Sequence, residues 1–209
     1  PQNTLAIAAY ETAKKALESG DDITARNALD KSLKLDPDNP WVRFSLANLY
    51  IKSGQLRAAK DLMYNMPYSE ASKQVNVLFA TALFAAGIQD WAQAQKYLDQ
   101  IQAQDTTQEI KELQKSLALR EQISQALFLA KEGKKAEGLA LLTRYEQMAS
   151  VDVTMISLLA NAYVDLGDTK RGINLMQQAI ARDTPPKTDL LLAYSFLLLK
   201  ADEDTEAAP

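Results

Sequence analysis

The sequence predicts an all-α fold, a solenoid of about five helix-turn-helix repeats with an extra unpaired helix and a C-terminal helix. The spacing of its few glycines is the first observation that predicts this fold. Glycine takes the left-handed conformation that ends many helices at little cost. Five of the seven glycines each follow an apolar stretch with helical periodicity, at intervals of 34, 33, 46 and 34 residues: Gly20, Gly54, Gly87, Gly133 and Gly167. Such regular intervals indicate a tandem repeat of helix pairs.

The second observation is the best-formed repeat, which covers residues 36–63. Small and large apolar side chains recur at helical spacing on both sides of Gly54. The pattern resembles the tetratricopeptide repeat, a helix-turn-helix unit of 34 residues. Arg43 stands where that repeat carries a bulky residue, and Trp41 or Phe44 is expected to fill the place. The matching positions are Leu46, Ala47, Tyr50, Ala59 and Met63.

The two remaining glycines support the same register. Gly138 and Gly172 each lie five residues after a turn glycine, where Ala25 and Ala59 stand in the first two repeats. A small side chain is expected at this place because the backbones of the two helices of a repeat cross closely there. Every glycine therefore has a structural role within a repeat.

The long interval of 46 residues predicts an interruption of the array. Residues 102–118 are surplus to the repeat, and Thr106 and Glu109 form a capping box that begins a helix. Two readings stay open: one long helix from about 107 to 132, or an unpaired helix joined to the fourth repeat by a slight kink. The predicted organisation is repeats one to three over 1–101, a surplus helix and hinge over 102–118, repeats four and five with a terminal helix over 119–200, and an acidic disordered tail over 201–209.

Composition excludes several classes of function. A net charge of −4 and a pI of about 5.0 argue against nucleic-acid binding. Cysteine and histidine are absent, so the chain has no disulfide, no thiolate zinc site and no imidazole base. No convergent carboxylates or phosphate loop stand out, so neither catalysis, a cofactor nor a metal is predicted. No apolar run is long enough to span a bilayer. The first residue is Pro1, so we expect a processed or excised segment.

A second, more specific resemblance covers roughly residues 28–142. The stretch 35–43, the pairs Gly54-Gln55 and Leu62-Met63, and the stretches 108–113 and 133–137 are similar to the periplasmic repeat region of the cellulose-export subunit of bacterial cellulose synthase. The resemblance implies an accessory protein whose repeat array lies in the periplasm, ahead of an outer-membrane β-barrel that exports the glucan. This chain is expected to be part of the array, and to meet the membrane only through a barrel that its sequence does not contain. No catalytic residues carry over.

The tetratricopeptide resemblance also implies a binding surface. In that family the first helices of the repeats line a concave face. An aromatic groove flanked by amide and ammonium groups suits an extended peptide, or a sugar chain stacked on the rings. In the alternative, Trp41 and Phe44 pack between neighbouring repeats. The predicted groove residues are Tyr10, Lys14, Trp41, Phe44, Asn48, Lys52, Thr81, Phe84, Asn161 and Asp165.

Two functions from different classes remain. The first is a non-catalytic periplasmic scaffold for cellulose synthesis and export, which contacts other subunits of the complex, peptidoglycan or the glucan chain. The second is a general adaptor that binds a peptide or helix of another protein in its concave groove. Binding to glucan, compared with binding to peptides, separates the two.

Overall fold

In this computed structural model, the described residues are 2–66, 71–146, 153–182 and 184–206. Every regular element in these ranges is a helix, which confirms the all-α fold class. A short 3-10 turn, Ala103–Asp105, precedes α7. The α-helices are α1 (Gln2–Glu18), α2 (Asp22–Leu35), α3 (Pro40–Lys52), α4 (Leu56–Tyr64), α5 (Ala71–Gly87), α6 (Trp91–Leu98), α7 (Gln108–Lys131), α8 (Lys135–Thr143), α9 (Val153–Asp165), α10 (Thr169–Ala181) and α11 (Thr188–Glu206).

Aspartate and asparagine set several helix starts. The side-chain oxygen of such a residue accepts a hydrogen bond from a backbone N–H of the first turn, which would otherwise lack a partner. Asn39 accepts from the backbone of Trp41 and Val42, and Pro40 follows at the first helical position. The capping residues are Asp21 before α2, Asn39 before α3, Asp90 before α6 and Asp168 before α10.

The turn inside the third pair differs from the predicted one. Gly87 does not adopt a positive φ and is the last residue of α5. Gln89 takes the left-handed conformation instead, with φ of +62°. Three residues separate α5 from α6, as in the other pairs, so the turn is displaced by two residues along the chain and the left-handed position moves from Gly87 to Gln89. In the other turns φ lies between +74° and +80°, at Gly20, Gly54, Gly133 and Gly167.

Two small residues mark the crossing point of each helix pair. A Cβ atom added at Gly172 would lie 2.6 Å from the carbonyl oxygen of Ala160, and one at Gly138 would lie 2.6 Å from that of Ala126. These distances confirm the predicted close approach. In each pair the small residues are twelve positions apart and buried: Ala13 and Ala25, Ala47 and Ala59, Ala82 and Ala94, Ala126 and Gly138, and Ala160 and Gly172.

The chain divides into two compact units, Pro1–Gln114 and Lys115–Pro209. In the first unit, α1 packs on α2, α3 on α4 and α5 on α6, and the second pair also contacts α2 and α5. The core residues between these helices are Ala13, Ala16, Ala25, Leu29, Val42, Leu46, Leu49, Ala47, Ala59, Met63, Met66, Val77, Ala80 and Phe84.

In the second unit, α9 packs on α8, α10 and α11, and α10 packs on α11. Its core contains a fully buried Tyr163 among aliphatic side chains. The other buried members include Leu119, Ala126, Leu142, Met155, Ile156, Leu159, Leu166, Met176, Leu190 and Leu197.

Arg43, which departs from the repeat pattern, joins the ends of two segments of its own repeat. Its Nε donates to the carbonyl oxygen of Pro37 at 2.8 Å, and its Nη1 donates to that of Leu62 at 3.0 Å. Burial lowers the pKa of the guanidinium from its usual value. The two hydrogen bonds account for an arginine at a place where the pattern expects a bulky apolar side chain.

Helix α7 is one continuous helix, which is the first of the two readings of the surplus segment. The hydroxyl of Thr107 accepts a hydrogen bond from the N–H of Ile110, so Thr107 rather than Thr106 caps the helix. The hinge over 102–118 stays a prediction. No helix in the described ranges is long and apolar enough to cross a bilayer.

Helix α11 extends further than the sequence predicts. It continues from Lys200 to Glu206, into the stretch predicted as a disordered tail. The residues between 200 and 206 contain neither glycine nor proline, so nothing in the sequence ends the helix there. Residues 207–209 lie outside the described residues.

Candidate binding surface

The aromatic residues of α3 form a small cluster with the next repeat. The ring of Trp41 lies edge-to-face on Phe44, with centroids 6.1 Å apart, and edge-to-face on Phe79 of α5 at 5.9 Å. All three rings are half-buried, and Trp41 and Phe44 pack against the core beneath. Trp41 therefore contacts the neighbouring repeat, as the alternative reading proposes, while part of its ring stays exposed.

The polar residues of α3 are at the surface. Asn48 lies one turn beyond Phe44 and is exposed. Lys52 is a further turn along, and its Nζ lies 2.5 Å from Oδ2 of Asp22 at the start of α2. Both members of this ion pair are well exposed, so it contributes little to stability.

On α1 the two predicted groove residues contact each other. The Nζ of Lys14 lies 5.2 Å from the centroid of the Tyr10 ring, within the range of a cation–π contact. The same Nζ lies 2.6 Å from Oε1 of Glu11, and this hydrogen bond raises the pKa of Lys14. Lys14 is exposed and Tyr10 half-buried. The pair offers an aromatic edge beside a cation.

Two predicted groove residues of α5 are buried. The hydroxyl of Thr81 donates to the carbonyl oxygen of Val77 at 2.7 Å, within its own helix. Phe84 is 1% exposed and packs edge-to-face on Tyr64, with centroids 5.6 Å apart. Neither side chain is available to a ligand at the surface. The prediction that these two residues line a groove is therefore corrected.

The displacement of the turn by two residues explains that error. Counting back from Gly54, Phe44 and Asn48 are ten and six residues before the turn. Counting back by the same steps from Gln89, the left-handed residue in the turn after α5, gives Phe79 and Leu83. Both are half-buried, and Phe79 contacts Trp41. The signal that finds this register is the buried pair Ala82 and Ala94, twelve residues apart.

The last two predicted groove residues lie in the second unit, on α9. The side-chain amide of Asn161 donates to the carbonyl oxygen of Ser157 at 2.8 Å and is half-buried. Oδ1 of Asp165 lies 2.6 Å from Nζ of Lys200 on α11. Asp165 on α9 is therefore paired with α11, the last helix of this unit.

A polar cluster that the sequence did not reveal joins three segments of the second unit. The hydroxyl of the buried Tyr163 donates to Oε1 of Glu146 at 2.5 Å, and Nε of Arg171 lies 2.7 Å from the same oxygen. The hydroxyl of Thr143 lies 3.4 Å from that of Tyr163. Burial, together with the hydrogen bond to Glu146, raises the pKa of Tyr163 to about 12. Burial alone would raise the pKa of Glu146, but the bonds from Arg171 and Tyr163 lower it below its usual value.

This cluster predicts a pH dependence of stability. Because the folded state depresses the pKa of Glu146, its contribution is present above the unfolded-state pKa and is lost as the pH falls through the folded-state value. Glu146→Gln should cost about 1 kcal/mol at neutral pH, the usual worth of one such hydrogen bond, and progressively less as the pH is lowered towards the folded-state pKa and below it. Urea unfolding at neutral pH and at a series of acid pH values measures the difference.

The control for that experiment is Glu121→Gln, which removes an exposed carboxylate from the interior of α7. It should unfold like the unmodified chain at each pH value. A cost of Glu146→Gln that is the same at neutral and acid pH would contradict the assignment of its ionised form to the cluster.

A cleft of about 940 Å³ lies beside this cluster, lined by Glu146 and by residues of α10 and its cap between Asp168 and Gln178. Its walls mix both signs of charge with amide groups. Within the described ranges, no three Asp or Glu side chains are placed to hold a metal ion.

Comparison with known proteins agrees with this architecture. The family model described as Tetratricopeptide repeat matches residues 16–72. The matched range includes α2, α3 and α4, and therefore the helix that carries Trp41, Phe44 and Asn48. The tetratricopeptide resemblance stated from the sequence is confirmed.

Two curated relatives match almost the whole chain. It is 34% identical over 202 residues, 97% of its length, to Cellulose synthase operon protein C of Pseudomonas fluorescens (strain SBW25). It is 30% identical over 197 residues, 93% of its length, to the protein of the same name from Xanthomonas axonopodis pv. citri (strain 306). These matches confirm the second resemblance. The chain spans 16% and 13% of the length of these relatives.

Among solved structures, the chain is similar to that of MamA protein. The TM-score is 0.45 and the sequence identity 15%, over 85% of this chain and 91% of that one.

Proposed function

We propose that this chain is a non-catalytic tetratricopeptide segment that acts as a binding scaffold in the synthesis and export of cellulose. The observation that carries the proposal is the 34% identity to Cellulose synthase operon protein C, which extends over 97% of the chain. An array of helix pairs supplies an extended surface rather than an enclosed pocket, which suits a scaffold.

The proposed setting is the periplasm. There the segment would contact other subunits of a cellulose synthesis and export complex, the glucan chain, or peptidoglycan. An open surface buries little area at each contact, so we expect weak binding at each site and added strength from several sites in series.

The proposed contact surface in the first unit combines exposed polar groups with partly exposed rings. Asn48 lies one turn from Phe44 on α3, and Lys14 lies over the ring of Tyr10 on α1. Ring faces stack on the apolar faces of sugars, while the amide and ammonium groups can hydrogen-bond to hydroxyl groups. Trp41 on α3, whose ring is partly exposed, also belongs to the proposed contact surface.

The double variant Asn48→Ala and Lys14→Ala should weaken glucan binding about thirtyfold, because each lost hydrogen bond is worth about 1 kcal/mol and the two together about 2 kcal/mol. Both side chains are exposed, so the melting temperature should stay the same. Binding is measured by titration with soluble cello-oligosaccharides and by pull-down on insoluble cellulose.

The matched control is Asn27→Ala with Lys31→Ala, an exposed amide and an exposed lysine on α2. This control should bind glucan like the unmodified chain. Equal binding by both double variants would show that the working surface lies elsewhere.

A second candidate function is a general adaptor for peptides or helices of other proteins. It is favoured by the match of residues 16–72 to the tetratricopeptide family, independently of cellulose. Absence of binding to cello-oligosaccharides and cellulose, together with selection of a consistent peptide from a displayed library, would favour this candidate. If Asn48→Ala and Lys14→Ala then abolished peptide binding, the surface would be right and the ligand class would be protein.

A further inference from the structure

The cleft of about 940 Å³ beside α10 has the size of a ligand site and a polar lining. Ligand-binding clefts usually have volumes of about 300–1,000 Å³ and are lined mainly by hydrophobic side chains. Here Ile173 and Leu175 are the apolar lining residues, and the rest of the described lining carries charges, amides or a hydroxyl group. A ligand that fills this cleft must therefore be polar along most of its length.

The charges of the lining are balanced within the cleft. Nε of Arg171 is paired with Oε1 of Glu146 at 2.7 Å, and the carboxylate of Asp168 accepts a hydrogen bond from the backbone N–H of Arg171. The described lining has two cations, Lys170 and Arg171, and two carboxylates, so its formal charges cancel. A charged ligand gains no net electrostatic attraction from such a lining, and a neutral ligand loses none. The cleft thus favours a neutral ligand.

One face of α10 presents a row of hydrogen-bonding groups. Lys170, Asn174 and Gln178 are four positions apart, so their side chains follow one another along the helix at steps of about 6 Å. All three side chains are exposed, and none forms a hydrogen bond or ion pair within the described ranges. Such a row suits a linear ligand that carries hydrogen-bonding groups at regular intervals.

Two other side chains of the cleft are held in place without a ligand. The side-chain amide of Gln177 donates to the hydroxyl of Tyr194 at 2.9 Å, which leaves the carbonyl oxygen of Gln177 as an acceptor. The guanidinium of Arg171 lies 5.1 Å from the centroid of the Tyr163 ring and is also bound to Glu146. Side chains that are already ordered lose little conformational freedom on binding, which favours affinity.

The amides of the cleft suit a chain of sugars better than a peptide. A carboxamide has both donors and acceptors, and so matches hydroxyl groups, which also donate and accept. An extended peptide can bond to the same amides, but its specificity comes from pockets that take alternate side chains. With Ile173 and Leu175 as its apolar residues, the described lining offers little for such pockets.

We infer that this cleft is a glucan-binding site of the second unit, in addition to the proposed contact surface of the first unit. The ligand is a neutral, linear oligosaccharide that lies along α10, with Asn174 and Gln178 hydrogen-bonded to its hydroxyl groups. The choice of glucan rests on the proposed function, whereas the neutral and hydroxyl-rich class of the ligand rests on the cleft itself.

The probe is cellohexaose, titrated into the full chain while backbone and side-chain amide signals are followed by NMR, which observes the two proposed sites separately. The side-chain amide signals of Asn174, Gln177 and Gln178 should shift and saturate, and they should do so equally in the variant Asn48→Ala with Lys14→Ala. In Asn174→Ala with Gln178→Ala, the signal of Gln177 should report about thirtyfold weaker binding, because each lost hydrogen bond is worth about fivefold in affinity.

The matched control is Asn27→Ala with Gln125→Ala, which removes two exposed amides outside the cleft, on α2 and α7. In this control the Gln177 signal should report the same affinity as in the unmodified chain. Neither double variant should lower the melting temperature, because all four side chains are exposed.

The positions of the shifts distinguish this inference from the proposed function. Shifts confined to α1 and α3 would leave the proposed contact surface intact and overturn the second site. Shifts confined to α10 would support the second site and overturn the surface of the first unit. The absence of shifts in both places would overturn both. A peptide from a displayed library that shifts the amides of α10, where cellohexaose does not, would overturn the assignment of this cleft to a sugar.

Discussion

Changing Gly172 to alanine is expected to destabilise the second unit by about 2–4 kcal/mol, the cost of forcing extra volume into a packed contact. In an exposed helix the same change usually stabilises by about 1 kcal/mol, because alanine is the better helix former. The opposite sign arises because the new Cβ would lie 2.6 Å from the carbonyl oxygen of Ala160. That oxygen belongs to backbone, so relief requires α9 and α10 to separate.

The measurement is urea unfolding combined with hydrogen exchange of backbone amides in α9 and α10. Hydrogen exchange is needed because a chain with two compact units need not unfold in a single step. Gly87→Ala is the matched control, since no atom lies within 4 Å of a Cβ added there and φ is not positive. The control should be neutral or slightly stabilising. A stabilising Gly172→Ala would contradict the close approach of α9 and α10.

The helix pairs could be predicted from the sequence because local and tertiary requirements coincide there. Glycine at a turn and a small residue at the crossing point both leave a mark that does not depend on distant contacts. Gly54 and Gly167 end their helices as predicted, and Gly138 and Gly172 lie at the crossing points.

The third pair shows where this reasoning fails. Gln89 adopts a positive φ that is unusual for its residue type, so residue preferences at the turn favour Gly87 as the turn residue. A shift of two residues along a helix rotates a side chain by about 200°, since each residue turns by about 100°. The same shift moved the predicted groove from Phe79 and Leu83 to the buried side of α5. The wrong assignment of the exposed and buried sides of α5 therefore results from the misplacement of this one turn.

The cluster of Glu146, Tyr163 and Arg171 could not be predicted for a different reason. Glu146 is 17 residues from Tyr163 and 25 residues from Arg171. The three residues meet only because α9, α10 and the segment that follows α8 pack together. Charged residues on helices are common and usually solvated, so no local pattern singles out Glu146. The cleft beside α10 is likewise a property of the packing, because its lining residues look in sequence like those of any solvated helix face.

Phe84→Ala is expected to destabilise the first unit by about 3–5 kcal/mol, as for other buried phenylalanines that leave a cavity. Phe84 is 1% exposed and contacts Tyr64, whose pKa burial raises to about 12. Phe79→Ala is the matched control on the same helix, and it should cost less because Phe79 is half-buried. Thermal unfolding and cello-oligosaccharide binding are measured on both variants.

Where Phe84→Ala remains folded, its binding should equal that of the unmodified chain, while Phe79→Ala should bind more weakly through loss of support for Trp41. Weaker binding by Phe84→Ala at unchanged stability would show that Phe84 is part of the binding surface and would contradict its place in the core.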